Sequence, residues 1–375
     1  MTSKIAHFFK ENRPPTPCLV VDLDVVRENF NTLTVAMPDT QLFYAIKANP
    51  APEILKLLVG LGASFDTASV PEIEACLAAG ATPDRISYGN TIKKASDIAR
   101  AHALGVSLFA FDSLAELEKI AQNAPGARVF CRILTSGNGA EWPLSRKFGC
   151  DPEMARELML AAAKYDVVAH GISFHVGSQQ RDVSQWDVAI ETTARLFRDL
   201  EEQGISLKMV NLGGGFPTKY LKSIPTAQEY GRAISEALRK HFGNRIPETI
   251  MEPGRGLVGN AGIIQSEVVL ISRKSANDTR RWVYLDIGKF GGLAETMDEA
   301  IQYPIVSTRR GKMEPVILAG PTCDSADVLY EKADYRLPAD LKIGDRVEIR
   351  ATGAYTTTYS AVNFNGFSPL ASYYI

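Results

Sequence analysis

From about residue 43 to residue 253, short apolar runs alternate with amphipathic segments, and this rhythm constrains the fold more than any other feature of the 375 residues. The runs at 43–47, 63–66, 86–89, 108–111, 129–133, 171–175, 209–212 and 249–252 are rich in branched and aromatic side chains, as buried strands are. The segments between them carry helix-start signals. Ser69-Val70-Pro71-Glu72 and Ser113-Leu114-Ala115-Glu116 have the spacing at which a hydroxyl and a carboxylate each satisfy an orphan amide. Pro52 and Pro152 fall where a first helical turn tolerates a residue without an N–H. Eight strands, each leading onward through a helix or loop, is the count of an α/β (β/α)8 TIM-like barrel, although a doubly wound sheet gives a similar alternation.

After Gly254 the texture changes. The runs at 263–273, 282–286, 315–318, 346–352 and 372–375 are short and β-rich, with turns at Ile343-Gly344-Asp345 and Asn365-Gly366. The expectation is a barrel over 25–260 and a mostly β second domain built from 1–24 and 261–375, with an N-terminal strand near 17–22. A length of 375 residues suits two domains.

Hydrophobic residues make up 45% and charged residues 22%, and the net charge is -2, which offers no attraction to nucleic acid or an anionic membrane. No apolar run approaches a membrane span, and residues 1–7 lack a secretory core. Five cysteines, scattered and in no metal-type cluster, fit a reducing cytoplasm and no metal centre. Cys18, Cys76, Cys131 and Cys150 read as core fillers; Cys323 has a different setting.

The unusual residues gather just past the barrel-like strands, on the face where barrel enzymes build their sites. Lys47 ends the run Leu42-Phe43-Tyr44-Ala45-Ile46 and is followed by Ala48-Asn49-Pro50. A strand-end lysine can snorkel to water, but partial burial would also expose an amine nucleophile for a Schiff base. Asp66 ends the second run, Arg132 the fifth, and His175 the sixth, with Gly177-Ser178 behind it. Asn211-Leu212-Gly213-Gly214-Gly215-Phe216-Pro217 follows the seventh run and Glu252-Pro253-Gly254-Arg255-Gly256 the eighth. Paired glycine loops after the last two strands are where barrels hold a phosphate, and Arg255 adds a charge-assisted bond. A monophosphate there and an imine-forming lysine across the mouth point to pyridoxal 5′-phosphate.

The segments Tyr44-Ala45-Ile46-Lys47-Ala48-Asn49, His175-Val176-Gly177-Ser178, Gly213-Gly214-Gly215-Phe216 and Glu252-Pro253-Gly254-Arg255 resemble those of the fold-type III, alanine racemase-like pyridoxal-phosphate decarboxylases. Gly320-Pro321-Thr322-Cys323-Asp324-Ser325-Ala326-Asp327, Gly353-Ala354-Tyr355 and Asn363-Phe364-Asn365-Gly366-Phe367 narrow the resemblance to the ornithine decarboxylases. It implies that Lys47 holds the cofactor, that His175 lies on the pyridine face, and that Glu252 keeps the pyridine nitrogen protonated. Asp66, Arg132, Ser178 and Tyr355 would complete the cofactor shell, with Ser178, Gly214, Gly215, Arg255 and Tyr355 nearest the phosphate. The resemblance also implies a homodimer with shared sites, in which Cys323 returns a proton to Cα and Asp324 binds the distal ammonium of a diamino acid. Phe364 and Asp286 would complete the substrate site, whereas Glu72 reads as a helix cap.

The implied reaction is decarboxylation of L-ornithine to putrescine in polyamine biosynthesis. In Asp286-Ile287-Gly288 the acid stands one residue further from the glycine than in many eukaryotic relatives. That spacing is similar to bacterial members that also take L-lysine to cadaverine. A meso-diaminopimelate decarboxylase would want a cation where Asp324 offers an anion. A catalytically inactive regulator of the same fold would be free to lose Lys47, His175, Glu252, Arg255 or Cys323, all of which are kept.

Overall fold

A computed structural model of the chain describes residues 1–142 and 147–375. It divides into two compact units, one made of Arg27–Pro217 and Ile224–Gly256, the other of Met1–Val26, Thr218–Ser223 and Leu257–Ile375.

In the first unit, among the described residues, eight parallel strands close into a barrel: β1 (Thr40–Ala45), β2 (Ser64–Thr67), β3 (Ile86–Tyr88), β4 (Leu108–Phe111), β5 (Ala127–Arg132), β6 (Val167–Ser173), β7 (Met209–Asn211) and β8 (Glu248–Met251). They pair in chain order and β8 returns to β1, which excludes the doubly wound alternative. Phe43, Leu108, Ala110, Phe130, Met209 and Ile250 form one buried cluster, so the barrel has a packed core and no pore. Helices such as Pro52–Gly60, Pro152–Ala162 and Ser184–Glu202 connect the strands, and Pro52 and Pro152 stand in first turns.

Six of the strands stop one or two residues earlier than their apolar runs. β1 ends at Ala45, β6 at Ser173 and β8 at Met251, so Lys47, His175 and Glu252 lie in loops beyond the ladder. Ile46, Phe174 and Leu212 are buried past these strand ends, and Phe174 N and Leu212 N still donate to Asn211 O and Ile250 O of the neighbouring strands, so the apolar runs take in the buried rim as well as the strands.

The helix starts also differ in detail. The Ser69 and Ser113 hydroxyls accept from the amides of Glu72 and Glu116, but neither carboxylate returns to its cap residue. Glu72 accepts from Ala68 N at 2.6 Å, and Glu116 pairs with Lys93 and Lys119. A reciprocal capping box forms instead at Thr226 and Glu229.

The second unit is a mixed sheet. The strand Cys18–Val21 pairs antiparallel with β9 (Gly262–Ser272) and parallel with β15 (Ala371–Tyr374). The remaining strands are β10 (Arg281–Leu285), β11 (Ile305–Ser307), β12 (Met313–Ala319), β13 (Val328–Pro338) and β14 (Arg346–Arg350), in the spatial order β11-β14-β9-β10-β12-β13. Sequence patterning misses β13 because Glu331, Lys332, Asp334 and Arg336 interrupt its apolar residues. β13 is an edge strand, where outward charges block pairing with another chain. Among the described residues no helix is long and apolar enough to cross a membrane.

Candidate active site

The rim of the barrel begins with the turn after β1. Pro50 has no N–H to continue a ladder, and Ile46–Ala48 curls into a single 3-10 turn. Tyr44 Oη donates to Asn49 O at 2.9 Å, and Asn49 Oδ1 accepts from Ala51 N at 3.2 Å, which fixes the turn. Lys47 is exposed between buried Ile46 and Ala48, which corrects the expectation of partial burial. The turn, not the strand, carries the lysine, and its charge is felt by Asp66, Glu72 and His175.

Asp66, on β2, stands in register with Ala45 and Ser87 and accepts from Ser87 Oγ at 3.2 Å. Burial and the Glu252 charge push its carboxyl well above the usual range, and Lys47 opposes them. Arg132 closes β5 with its guanidinium 5.3 Å from the Phe148 ring centroid. Burial lowers its pKa, and Glu252, Asp66 and Asp112 counter that.

His175 Nδ1 accepts from Gly214 N at 3.2 Å, leaving any single ring proton on Nε2. Burial, with Arg132 and Lys47 adding repulsion, holds the imidazole well below its ordinary pKa and therefore neutral. Asn211, fully buried at the end of β7, donates through Nδ2 to Glu252 Oε1 and accepts from Gly213 N at 2.9 Å. Glu252 N donates in turn to Gly213 O at 2.8 Å. One amide side chain thus sets the carboxylate and the glycine loop together. Sequence reasoning passed over Asn211, although its place directly before that loop marked it.

The glycine loop has no room for side chains. A Cβ on Gly213 would lie 2.0 Å from Phe174 O, on Gly214 2.6 Å from Glu252 O, and on Gly215 2.6 Å from Gly177 O. Gly215 O accepts from Gln180 N at 2.9 Å, which docks the loop on the segment carrying half-buried Ser178. Arg255, only 4% exposed, follows β8. This bare, tightly packed backbone beside a buried guanidinium fits a phosphate. Two of the three glycine amides, however, are engaged by Asn211 and His175, so the loop also orients those side chains.

Glu72, expected only as a helix cap, accepts from Ala68 N and is also within reach of the Lys47 charge. Burial raises its pKa, while the bond from Ala68 N and the Lys47 charge lower it.

The other predicted residues belong to the sheet unit. Tyr355 is half-buried in a left-handed conformation, φ 60°. Cys323 and Asp324 are exposed, while Cys18, Cys76, Cys131 and Cys150 are buried. Asp286 Oδ1 accepts from Ser266 Oγ at 2.6 Å and Glu267 N at 2.9 Å, so the fold already uses one of its oxygens. Asp286 and Phe364 nonetheless line one cavity of about 340 Å³, with Phe290 and Thr322. The Phe290 and Phe364 rings lie 4.7 Å apart.

A lysine, a neutral histidine, an oriented carboxylate and a bare glycine loop on one barrel rim are parts that suit pyridoxal phosphate. Residues 23–259 match the family described as "Pyridoxal-dependent decarboxylase, pyridoxal binding domain", and the chain belongs to that family. It is 38% identical over 357 residues to the lysine/ornithine decarboxylase of Selenomonas ruminantium, covering 95% of this chain and 88% of that protein. SrLDC in complex with PLP and cadaverine superposes with a TM-score of 0.89 at 36% identity, covering 100% of this chain and 93% of that one, and the lysine decarboxylase from Selenomonas ruminantium gives 0.88 at 36%, covering 100% and 96%. The Vibrio vulnificus lysine/ornithine decarboxylase complexed with putrescine gives 0.87 at 31% identity, covering 100% and 99%. The cofactor is pyridoxal 5′-phosphate.

Proposed function

We propose that the chain decarboxylates L-ornithine to putrescine and carbon dioxide in polyamine biosynthesis, with L-lysine to cadaverine as a second activity. The convergence of Lys47, Asp66, Arg132, His175 and Glu252 from five strand ends carries the reading. The ionisation of Asp66, Arg132 and His175 each responds to two of the others. The lysine/ornithine decarboxylases among its relatives support the substrate class.

Bound pyridoxal phosphate supplies a ring that accepts the electrons left on Cα when carbon dioxide departs. Lys47 would hold the cofactor through Nζ. His175, kept neutral, would pack against the bound cofactor without adding a positive charge. Glu252, oriented by Asn211, keeps a proton on the pyridine nitrogen. Ser178, Gly214, Gly215, Arg255 and Tyr355 would surround the phosphate, and Asp66 and Arg132 would complete the shell. The substrate carboxylate occupies a water-poor position, so its loss relieves an unfavourably placed charge.

We also propose a homodimer in the reducing cytoplasm, with each site completed by a second copy. Cys323 of the partner subunit returns the proton to Cα. Asp324 of the partner subunit binds the distal ammonium, with Asp286 and Phe364 forming the rest of that pocket. An acid at that place disfavours meso-diaminopimelate, whose distal end carries a carboxylate.

Purified holoenzyme should release carbon dioxide and the matching diamine from ornithine and, less efficiently, from lysine. One methylene is worth about 1–3 kcal/mol in such a pocket, so both should react. No carbon dioxide from either substrate refutes the activity. Mixing inactive Lys47→Ala with inactive Cys323→Ala under subunit exchange should restore up to about a quarter of wild-type activity, because half the dimers are hybrids with one intact site. No recovery refutes site sharing.

A further inference from the structure

We propose that Asp327 is the positioning residue for Cys323 and Asp324, pinning the loop that carries them to the loop that carries Asp286; this rests on the roles proposed above for those three residues. Asp327 is only 2% exposed, and a carboxylate is costly to bury unless its oxygens are satisfied. Its Oδ1 accepts from Lys289 N at 2.8 Å, on the Asp286 loop. Its Oδ2 accepts from Thr322 N at 3.1 Å and Thr322 Oγ1 at 2.7 Å, directly before Cys323. Its backbone closes the second loop on itself, accepting from Gly320 N at 2.8 Å and donating to Asp324 O at 3.1 Å.

Both loops present bare backbone to this carboxylate. A Cβ built on Gly288 would lie 2.1 Å from Asp327 Oδ1, and one on Gly320 2.4 Å from it. Glycine at these two positions is therefore required by the approach of one side chain, not by a turn. A third loop completes the clamp. Asn365 Oδ1 accepts from Cys323 N at 3.1 Å, and Ala361 N donates to Phe290 O at 2.9 Å. Cys323 is thus held by Asn365 through its own N–H and by Asp327 through the preceding Thr322, while it stays exposed. A functional tip on a rigidly held base is the arrangement that precise proton delivery needs.

The complementation system gives a readout that a merely structural residue would not move. Asp327→Asn leaves one acceptor oxygen where three donors use two, so an NH2 must face either Lys289 N or the Thr322 pair. In the holoenzyme it should lower kcat by about tenfold to a hundredfold, with the cofactor absorbance and thermal midpoint retained. Mixed with Lys47→Ala it should recover activity, because the hybrid has one site with an intact lysine and an intact loop. Mixed with Cys323→Ala it should recover none. Thr322→Val and Gly320→Ala disturb the same clamp and should fall in the Cys323 group, and they decide the matter if Asp327→Asn does not fold. Wild-type kcat in Asp327→Asn, or recovery of these variants with Cys323→Ala, overturns the proposal. Failure of the Lys47→Ala and Cys323→Ala pair itself would instead overturn site sharing.

Discussion

Substituting Gly214 by alanine should weaken pyridoxal phosphate binding about thirtyfold while leaving the apoprotein folded. The added Cβ would stand 2.6 Å from Glu252 O and 3.4 Å from His175 Cε1. Ordinary contact begins at 3.4 Å, so the carbonyl or the loop must retreat by about 0.8 Å. There is little slack to absorb that. Gly214 N is committed to His175, Gly213 N to Asn211, and Gly213 O to Glu252 N. Overpacking costs about 1–3 kcal/mol and a displaced hydrogen bond about 1 kcal/mol. If about 2 kcal/mol of this falls on the bound state, Kd rises about thirtyfold. Titration of apoprotein with pyridoxal phosphate, followed by absorbance, measures it. Gly60→Ala, at a helix end with nothing within 4 Å, is the control that should bind normally. A Gly214→Ala affinity within about threefold of wild type would refute the reasoning that this loop aligns the cofactor residues.

Two further outcomes follow from buried charge in the barrel unit. Lys93 Nζ, fully buried, lies 3.0 Å from Glu116 Oε1 and donates to Ala110 O at 2.6 Å; burial pushes its pKa down to about 8. Glu116→Gln strands that ammonium and should cost about 3–5 kcal/mol in urea unfolding, and a loss under about 1 kcal/mol would contradict it. Burial, helped by Arg128, pushes His170 from 6.5 down to about 4. As pH falls below 6.5 the unfolded chain gains a proton that the folded chain refuses until about pH 4. Stability should therefore drop across that window, by up to about 3 kcal/mol from this residue, and His170→Gln should flatten the slope. An unchanged slope in the variant would assign the effect elsewhere.

The barrel is legible in the sequence because each strand is buried on both faces, so its apolar run stands out against polar connections. Its rim is legible for a related reason. Lysine, histidine and paired glycine loops directly after such runs have few structural explanations in common. The sequence is less informative where polar residues do structural work. β13 is hidden by its outward charges, and Asn211 looks like one more turn residue until its amide is seen holding Glu252. Lys47 shows the limit of one-dimensional burial arguments: its neighbours are buried, but a single tight turn exposes it. Asp327 is legible only in three dimensions, since its partners at Lys289 and Thr322 come from different loops.

The most direct test of the account is to treat freshly isolated holoenzyme with borohydride, digest it, and locate the pyridoxyl group by mass spectrometry. The account predicts a single modified peptide, with the added mass on Lys47. A modification on another lysine, or none on a preparation that still decarboxylates, would contradict it.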